Sequence, residues 1–461
     1  MIGKPRLGGW GPIPTTACSA SIRWRASAGG DPSPATACGA HNGRSLMARR
    51  RSSRLVRTLA AFTLASCAAG ADAAWAAETI KVGFMAPLTG IFAQAGKDML
   101  EGLKLAFEQI GYQTAGRKIE LIEEDDEGNP AVAQAKYRKL VTQDHIHVLT
   151  GVLLSNIGYG LIPPIERDQL PTLYLTTPDD LTKKNVSKYI LRTNFAASQL
   201  MHPLGDYAAK TLKYQRVVTI AMDNPFGHEQ IGGFQRVFED QGGRVVQKIW
   251  VPLNVLDFAP YLTQINRNVD AVCAVFVAAQ GVRFIKQYAE YGLKGKLPLI
   301  GSGVMTDEHV IRSLGDEAVG AIGALIWAPS LTTPANRTYM KLAEAKVGKT
   351  PAYFTAIMYS AGRWVAEAAK LVEGKVEDRD RFLAAIKKAI ETVEDPRGPI
   401  KLDESGNPTQ NVYILKVERV DGKLTNTVLH TYPMVSQFWT YKPGEFLKLP
   451  AYGRDYPPAK P

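Results

Sequence analysis

The sequence predicts an α/β protein built from parallel sheets with helices on both faces. Two observations carry this expectation. Short apolar runs alternate with helical segments from residue 79 to about residue 325, and such alternation implies βα units. The alternation also falls into two similar sets, one over 79–193 and one over about 197–325.

Each element has its own signal. TIKVGFMAPL is an apolar run ending in a turn, and in the GKDMLEGLKLAFEQI that follows Met99, Leu103, Phe107 and Ile110 share one helical face. KIELIEEDD reads as the next strand. Asn129 then reads as an N-cap with Pro130 at the first helical position, opening AVAQAKYRKLVTQD. HVLTGVLL, PTLYLTT, RVVTIAM, RVVQKIWVP, AVCAVFVAA, LPLIGSG and GALIWAP are further strand candidates. Pro163 and Pro164 predict that a helix near Asn156 is kinked or begins only near Pro163. A long helical region follows residue 330, and the chain ends in two hairpin-like strands with a turn at Asp421 and Gly422.

The net charge of +11 does not describe the folded part. Residues 1–77 hold ten Lys or Arg against Asp31 and Asp72, which leaves 45 basic and 42 acidic residues elsewhere. The basic excess therefore belongs to a leader and gives no support to nucleic-acid binding. From Met47 the leader shows an arginine run, an apolar stretch from Leu55 to about Ala71, and small residues. Ala74, Trp75 and Ala76 form an A-x-A cleavage site that leaves Ala77 first. Leu64, Ala65, Ser66 and Cys67 form an alternative, a lipobox whose cysteine becomes a lipidated residue one. Either route exports the protein, and residues 1–46, rich in Gly, Pro and Ser without apolar periodicity, read as a stretch upstream of the true start at Met47 or else as disordered. Of four cysteines only Cys273 lies beyond the leader, in an apolar run, which excludes an internal disulfide or a cysteine metal site there.

Ligands of open α/β sheets sit beyond the carboxyl ends of strands. That rule selects the loops at Thr89 to Ala95, Ser155 and Asn156, Thr176 and Thr177, Asn224 to Phe226, Ala278 to Gly281 with Gln280, and Ser302 with Gly303. Hydroxyls and N–H groups near helix starts suit a carboxylate. Ser155 and Thr177 serve equally well as simple helix or turn caps. Phe92, Tyr159, Phe226 and Tyr353 are candidates to stack on a ligand, though each also suits a core. The first strand runs into APLTGIFAQAG, which lacks the G-x-G-x-x-G cradle of a dinucleotide site, and no G-x-S-x-G elbow or Walker loop occurs. His145 and His147 have metal-like spacing but no evident third ligand, and His228 beside a cleft loop reads as a polar contact rather than a catalyst. No catalytic residue, cofactor or metal is expected.

Several motifs, taken in order, resemble the type I periplasmic binding proteins in their branched-chain amino-acid-binding branch. They are IKVGFMAPLTG with EGLKLAFE, the acidic turn from Glu124 to Pro130, Gly151 to Asn156, and Thr176 to Pro178 with Tyr189 to Thr193. Asp223 to Gly227, Arg397 to Ile400 and Asp403 to Asn407 complete the series over about 79–445. The resemblance implies two Rossmann-like lobes joined by three crossover strands near 193–197, 326–330 and 404–411. Lobe one would hold 79–194 and 329–405, and lobe two 197–326 and 410–455. It further implies a monomeric, non-enzymatic substrate-binding protein of an ABC importer, periplasmic, with permease subunits as membrane partners and a small-molecule solute in the cleft. Loops matching Ser155, Thr176 and Thr177 hold the ligand carboxylate in that family. A sensor of the same fold that signals to a membrane receptor or kinase, or a true branched-chain amino-acid binder, are the alternatives.

Three departures from the family pattern bear on the ligand. The loop Gly301 to Val304 lacks the acid that pairs with an amino acid's ammonium, Asp307 being nearest. Ala95 stands where a covering aromatic is usual, and Asp179 and Asp180 follow a shortened loop. A buried ammonium without a counter-charge costs on the order of several kcal/mol. These departures favour an aromatic, carboxylate-bearing solute over an aliphatic amino acid.

Overall fold

The computed structural model describes residues 79–460 apart from Asn185. The leader expected from the sequence, with its two alternative processing sites, lies outside the described residues. The first half contains β1 (Ile80–Ala86), α1 (Ala93–Gln109), β2 (Gln113–Thr114), β3 (Arg117–Asp125) and α2 (Pro130–Thr142). It continues with β4 (Val148–Gly151), α3 (Ser155–Asp168), β5 (Thr172–Tyr174), α4 (Asp180–Lys183) and β6 (Ile190–Arg192). These strands form a six-stranded sheet in the order β2-β3-β1-β4-β5-β6, parallel except for the β2–β3 pair.

The second half opens with α5 (Ala197–Lys210), β7 (Arg216–Met222), α6 (Pro225–Asp240), β8 (Arg244–Val251) and α7 (Ala259–Leu262). It goes on with β9 (Ala271–Val275), α8 (Ala278–Glu290), β10 (Leu299–Ser302), α9 (Glu308–Ile311) and β11 (Ile322–Leu325). Three helices follow, α10 (Pro334–Val347), α11 (Tyr353–Leu371) and α12 (Arg379–Thr392), and α11 packs back along α1 of the first half. The chain finishes with β12 (Ile400–Leu402), β13 (Pro408–Val420), β14 (Lys423–Val435) and α13 (Pro443–Phe446). The second sheet runs β12-β13-β11-β10-β9-β7-β8, with β14 paired to β13. It is parallel from β11 to β8 and antiparallel around β13. The α/β class with two mostly parallel sheets is therefore as the alternation predicts.

The strands form where they do because both faces are covered. All five residues of β9 are buried, Cys273 among them, as suits a central parallel strand. Along β7, Val217 and Ala221 join one apolar cluster while Val218 and Ile220 join another, which is the two-residue alternation of a strand. Helix starts follow the capping chemistry read from the sequence. Asn129 accepts from Ala131 N at 2.8 Å, and Asn224 accepts from Gly227 N at 2.9 Å, each with proline next in the chain.

Two expectations need correction. Of the two readings of α3, a kinked helix or a start near Pro163, the second is excluded, because α3 begins at Ser155 and runs on through Pro163 and Pro164. Proline at 164 has no N–H for the Gly160 carbonyl four residues earlier, and that oxygen accepts instead from Gln134 Nε2 on α2. The chain also returns to the second sheet earlier than expected. Strand β12, within the stretch assigned to lobe one, bonds β13 with Ile400 opposite Gln410. Asp403 Oδ1 accepts from Ser405 N and Asn407 N, both at 3.0 Å, and this turn folds β12 onto β13. The third passage, from α12 back to the second sheet, thus lies at 393–399, before β12.

The first and third passages are bonded side by side. Arg397, fully buried, pairs with Asp395 and donates to Thr193 O at 2.7 Å, while Gln410 Nε2 donates to Asn194 O at 2.6 Å. Arg192 Nε reaches Asn407 Oδ1 at 2.8 Å.

Candidate functional site

A cleft with a cavity volume of about 50 Å³ lies where the carboxyl ends of the two sheets meet. Its first wall carries Phe92, Leu153, Leu154, Ser155, Leu175 and Thr177, with Tyr353 and Phe354 from the start of α11. The facing wall carries Met222, Asn224, Phe226, Val277 and Val304, and Asn194 lies in the first crossover. Local geometry explains these positions. Gly151 ends β4 at φ +100°, and a Cβ there would lie 2.4 Å from the Met85 carbonyl oxygen. Glycine therefore lets the chain turn at once into Leu153, Leu154 and α3. The N-cap of α3 is Leu154, which offers no side-chain cap. The first-turn N–H groups of this 14-residue helix thus stand at the cleft wall beside the Ser155 hydroxyl, an arrangement suited to negative charge.

Phe92 is buried and joins the apolar cluster of the second half that contains Met222 and Phe284, so the loop before α1 reaches across the cleft. Asp307, on the loop after β10, accepts from Tyr353 N at 3.0 Å. Asp179 N, after β5, donates to Glu229 Oε2 of α6 at 3.0 Å. The halves are thus closed on each other.

Ser155, Thr177, Phe92 and Phe226, selected from the sequence, line this cleft. Four other candidates do not. Asn156 is exposed on the outer side of the first turn of α3. Thr176 is buried behind the wall, its methyl against Gly158 and its carbonyl bonded by Arg192 Nη1 at 2.7 Å. Gln280 Nε2 donates to Pro252 O at 2.9 Å and Leu253 O at 2.7 Å, which makes it a brace for the loop after β8. Ser302 is fully buried in β10. Of the stacking candidates, Tyr353 lines the cleft and Tyr159 does not. Ala95 is buried in α1, and Phe92 is the aromatic that this loop presents. Spacing alone did not reveal Asn194, Leu154 or Phe354. Asn194 was open to the carboxyl-end rule, since it follows β6 as Thr177 follows β5.

No acidic or basic side chain is among the cleft residues. The acids nearest in sequence are engaged elsewhere. Asp307 is fully buried and holds His309 Nδ1 at 2.7 Å. Burial pushes its carboxyl up, but the His309 hydrogen bond and charge outweigh this and leave it below the usual range. Asp179 accepts from Ser198 N at 3.0 Å and pairs with Lys183 at 2.9 Å. Asp180 stands at the start of α4 facing Lys184 at 3.9 Å. Burial drives the Tyr353 hydroxyl well above its ordinary value, so it is neutral.

His147 and His228 have structural partners. His147 Nδ1 accepts from Lys81 N at 3.0 Å, and His228 Nε2 sits 2.8 Å from Asp223 Oδ1 with its ring edge on Trp250. Among the described residues no group of three or more His, Cys, Asp or Glu is placed to hold a metal ion. No helix among them is long and apolar enough to cross a membrane.

Comparison with known proteins agrees with this architecture. The chain is 29% identical over 385 residues to the Leu/Ile/Val-binding protein homolog 6 of Brucella suis, covering 81% of this chain and 95% of that one. An ABC transporter substrate-binding protein from Sphaerobacter thermophilus superposes with a TM-score of 0.73 at 33% identity, over 78% of this chain and 99% of that one. The solute-binding protein of an ABC transporter from Rhodopseudomonas palustris BisB5, solved with 3,4-dihydroxybenzoic acid, gives 0.73 at 32% identity, over 78% and 98%. The family described as periplasmic binding protein matches residues 79–423. Two mostly parallel sheets, a cleft at their carboxyl ends and this match together place the chain in the periplasmic binding protein family.

Proposed function

We propose that this protein captures a small aromatic carboxylate as the substrate-binding component of an ABC importer, hands it to permease subunits unchanged, and performs no catalysis. The observation that carries the ligand class is the uncharged cleft. An amino acid's ammonium would meet no acid there, because Asp307 and Asp179 spend their oxygens on His309, Tyr353, Lys183 and Ser198. A carboxylate finds the uncapped start of α3 with Ser155 and Thr177, and a ring finds Phe92, Phe226 and Tyr353. The related protein of Rhodopseudomonas palustris BisB5 was solved with an aromatic acid, which supports the same reading.

The magnitudes are sufficient. Micromolar affinity needs about 8 kcal/mol. Burying a ring supplies roughly 3 kcal/mol at ~25 cal/mol per Å², and each charge-assisted hydrogen bond to the carboxylate about 1.5–3 kcal/mol, before the costs of association. Calorimetry with leucine, phenylalanine, benzoate and cinnamate tests the reading. Benzoate or cinnamate should bind and be recovered unchanged. Tight leucine binding with none for the aromatic acids would overturn it in favour of the function that the Brucella relative's name suggests.

A further inference from the structure

We propose that Asn194 makes the cleft selective for hydroxylated aromatic acids. Its Oδ1 accepts a hydrogen bond from a hydroxyl on the ligand's ring, on the side away from the carboxylate. The inference rests on the aromatic-acid reading above and goes on to name the residue and the substituent.

Asn194 is fully buried, lies in the first crossover and lines the cleft. Its amide orientation is fixed by chemistry. The side-chain nitrogen donates to Leu175 O at 3.0 Å, and a carbonyl oxygen accepts only from the N–H₂ end of an amide. The same side chain hydrogen-bonds the Tyr353 hydroxyl, which works against the rise that burial imposes on that tyrosine. Oδ1 is therefore the free end, and it is buried without a partner in the protein. The residue cannot easily turn away, because Gln410 Nε2 holds its backbone oxygen at 2.6 Å. A buried acceptor left unmet is a standing penalty, which a ligand bringing a donor to that spot removes.

The sheet sets the distance that such a ligand must span. Strands β4, β5 and β6 are consecutive neighbours, and Ser155, Thr177 and Asn194 follow their ends in turn. The strand ends from which Ser155 and Asn194 follow stand two strand spacings apart, about 10 Å. A benzoate ring carrying a hydroxyl opposite or next-to-opposite its carboxylate covers this span with a hydrogen bond of about 2.7–3.0 Å at each end. An ammonium donor is disfavoured by the lack of any acid among the cleft residues, which leaves a neutral hydroxyl as the fitting group.

The test compares benzoate, 3-hydroxybenzoate, 4-hydroxybenzoate and 4-methoxybenzoate by calorimetry on the full protein. One hydroxybenzoate should bind about 10-fold or more tighter than benzoate, and the methoxy compound, which has no donor, should show no such gain. In Asn194→Leu the ratio of hydroxybenzoate to benzoate affinity should fall to about one. Equal binding of benzoate and both hydroxybenzoates by the unaltered protein would overturn the role of Asn194 while leaving the aromatic-acid reading intact. Failure of all four to bind would overturn both. The series on the unaltered protein decides the matter by itself if Asn194→Leu does not fold.

Discussion

Replacing Asp307 by alanine removes a polar tie between the two halves, and its effect is predictable in size. Asp307 belongs to the loop after β10, yet its Oδ1 accepts from Tyr353 N at the start of α11, at 3.0 Å. Its other oxygen holds His309 at 2.7 Å. A hydrogen bond to a charged group contributes about 1.5–3 kcal/mol. When the halves separate, water takes over both partners, so this difference falls on the closing equilibrium that ligand binding draws on. At about 1.4 kcal/mol per factor of ten, Asp307→Ala should weaken binding of the cleft's solute by roughly 10- to 100-fold. Relief of the carboxylate's desolvation opposes the loss and favours the lower end of that range. Asp307→Asn keeps an acceptor for Tyr353 N and should lose less. Calorimetry gives the affinities, and small-angle scattering reports whether ligand still shrinks the radius of gyration. Affinity within twofold of the unaltered protein, with normal closure, would refute the view that this contact helps to hold the closed form.

Three further outcomes follow from particular contacts. Ser155→Ala and Thr177→Val should each weaken binding of an aromatic acid by about 10-fold, with little effect on the neutral benzamide; equal losses for both compounds in calorimetry would show that the hydroxyls do not face the carboxylate. Gly102→Ala would place a Cβ 2.1 Å from the Thr355 carbonyl oxygen, where α1 and α11 meet, and should cost about 1–3 kcal/mol in urea unfolding. Asp126 is fully buried, with Oδ1 on Gly128 N at 2.8 Å and Oδ2 unpartnered, and burial pushes its carboxyl up to about 6. A raised acid favours the folded state fully below its unfolded value near 4, and loses that contribution as pH climbs to about 6. Asp126→Asn should therefore raise the melting temperature at pH 8 relative to the unaltered protein, and the gain should vanish by pH 4; a gain independent of pH would contradict the buried ionisation.

The parts of this architecture that were legible in the sequence are those governed by local chemistry. Alternating apolar runs marked β1, β7 and β9, and the Asn–Pro pairs marked the starts of α2 and α6, because caps and periodicity act within a few residues. The rule that ligands lie beyond strand ends selected Ser155, Thr177, Phe92 and Phe226, which line the cleft. It also selected Gln280 and Ser302, because it cannot say which side chains turn inward. Gln280 faces two carbonyls of the loop after β8, a partner almost thirty residues away. The run of α3 through two prolines depends on Gln134 from another helix, and the short β12 depends on a turn that folds it onto β13. Such tertiary partners leave no mark at the residues they rescue.

The packing of α11 on α1 has a consequence for how the chain is made. Helix α1 ends at Gln109, and the helix that covers it begins only at Tyr353. A chain emerging N-terminus first carries the apolar face of Leu103, Ala106 and Phe107 uncovered while more than two hundred further residues are added. The second sheet waits longer still, since β13 and β14 are almost the last residues to appear. Neither half is a contiguous fragment, and contacts this distant in sequence form slowly. An immature chain therefore lacks the contacts that complete either half until most of it has been made.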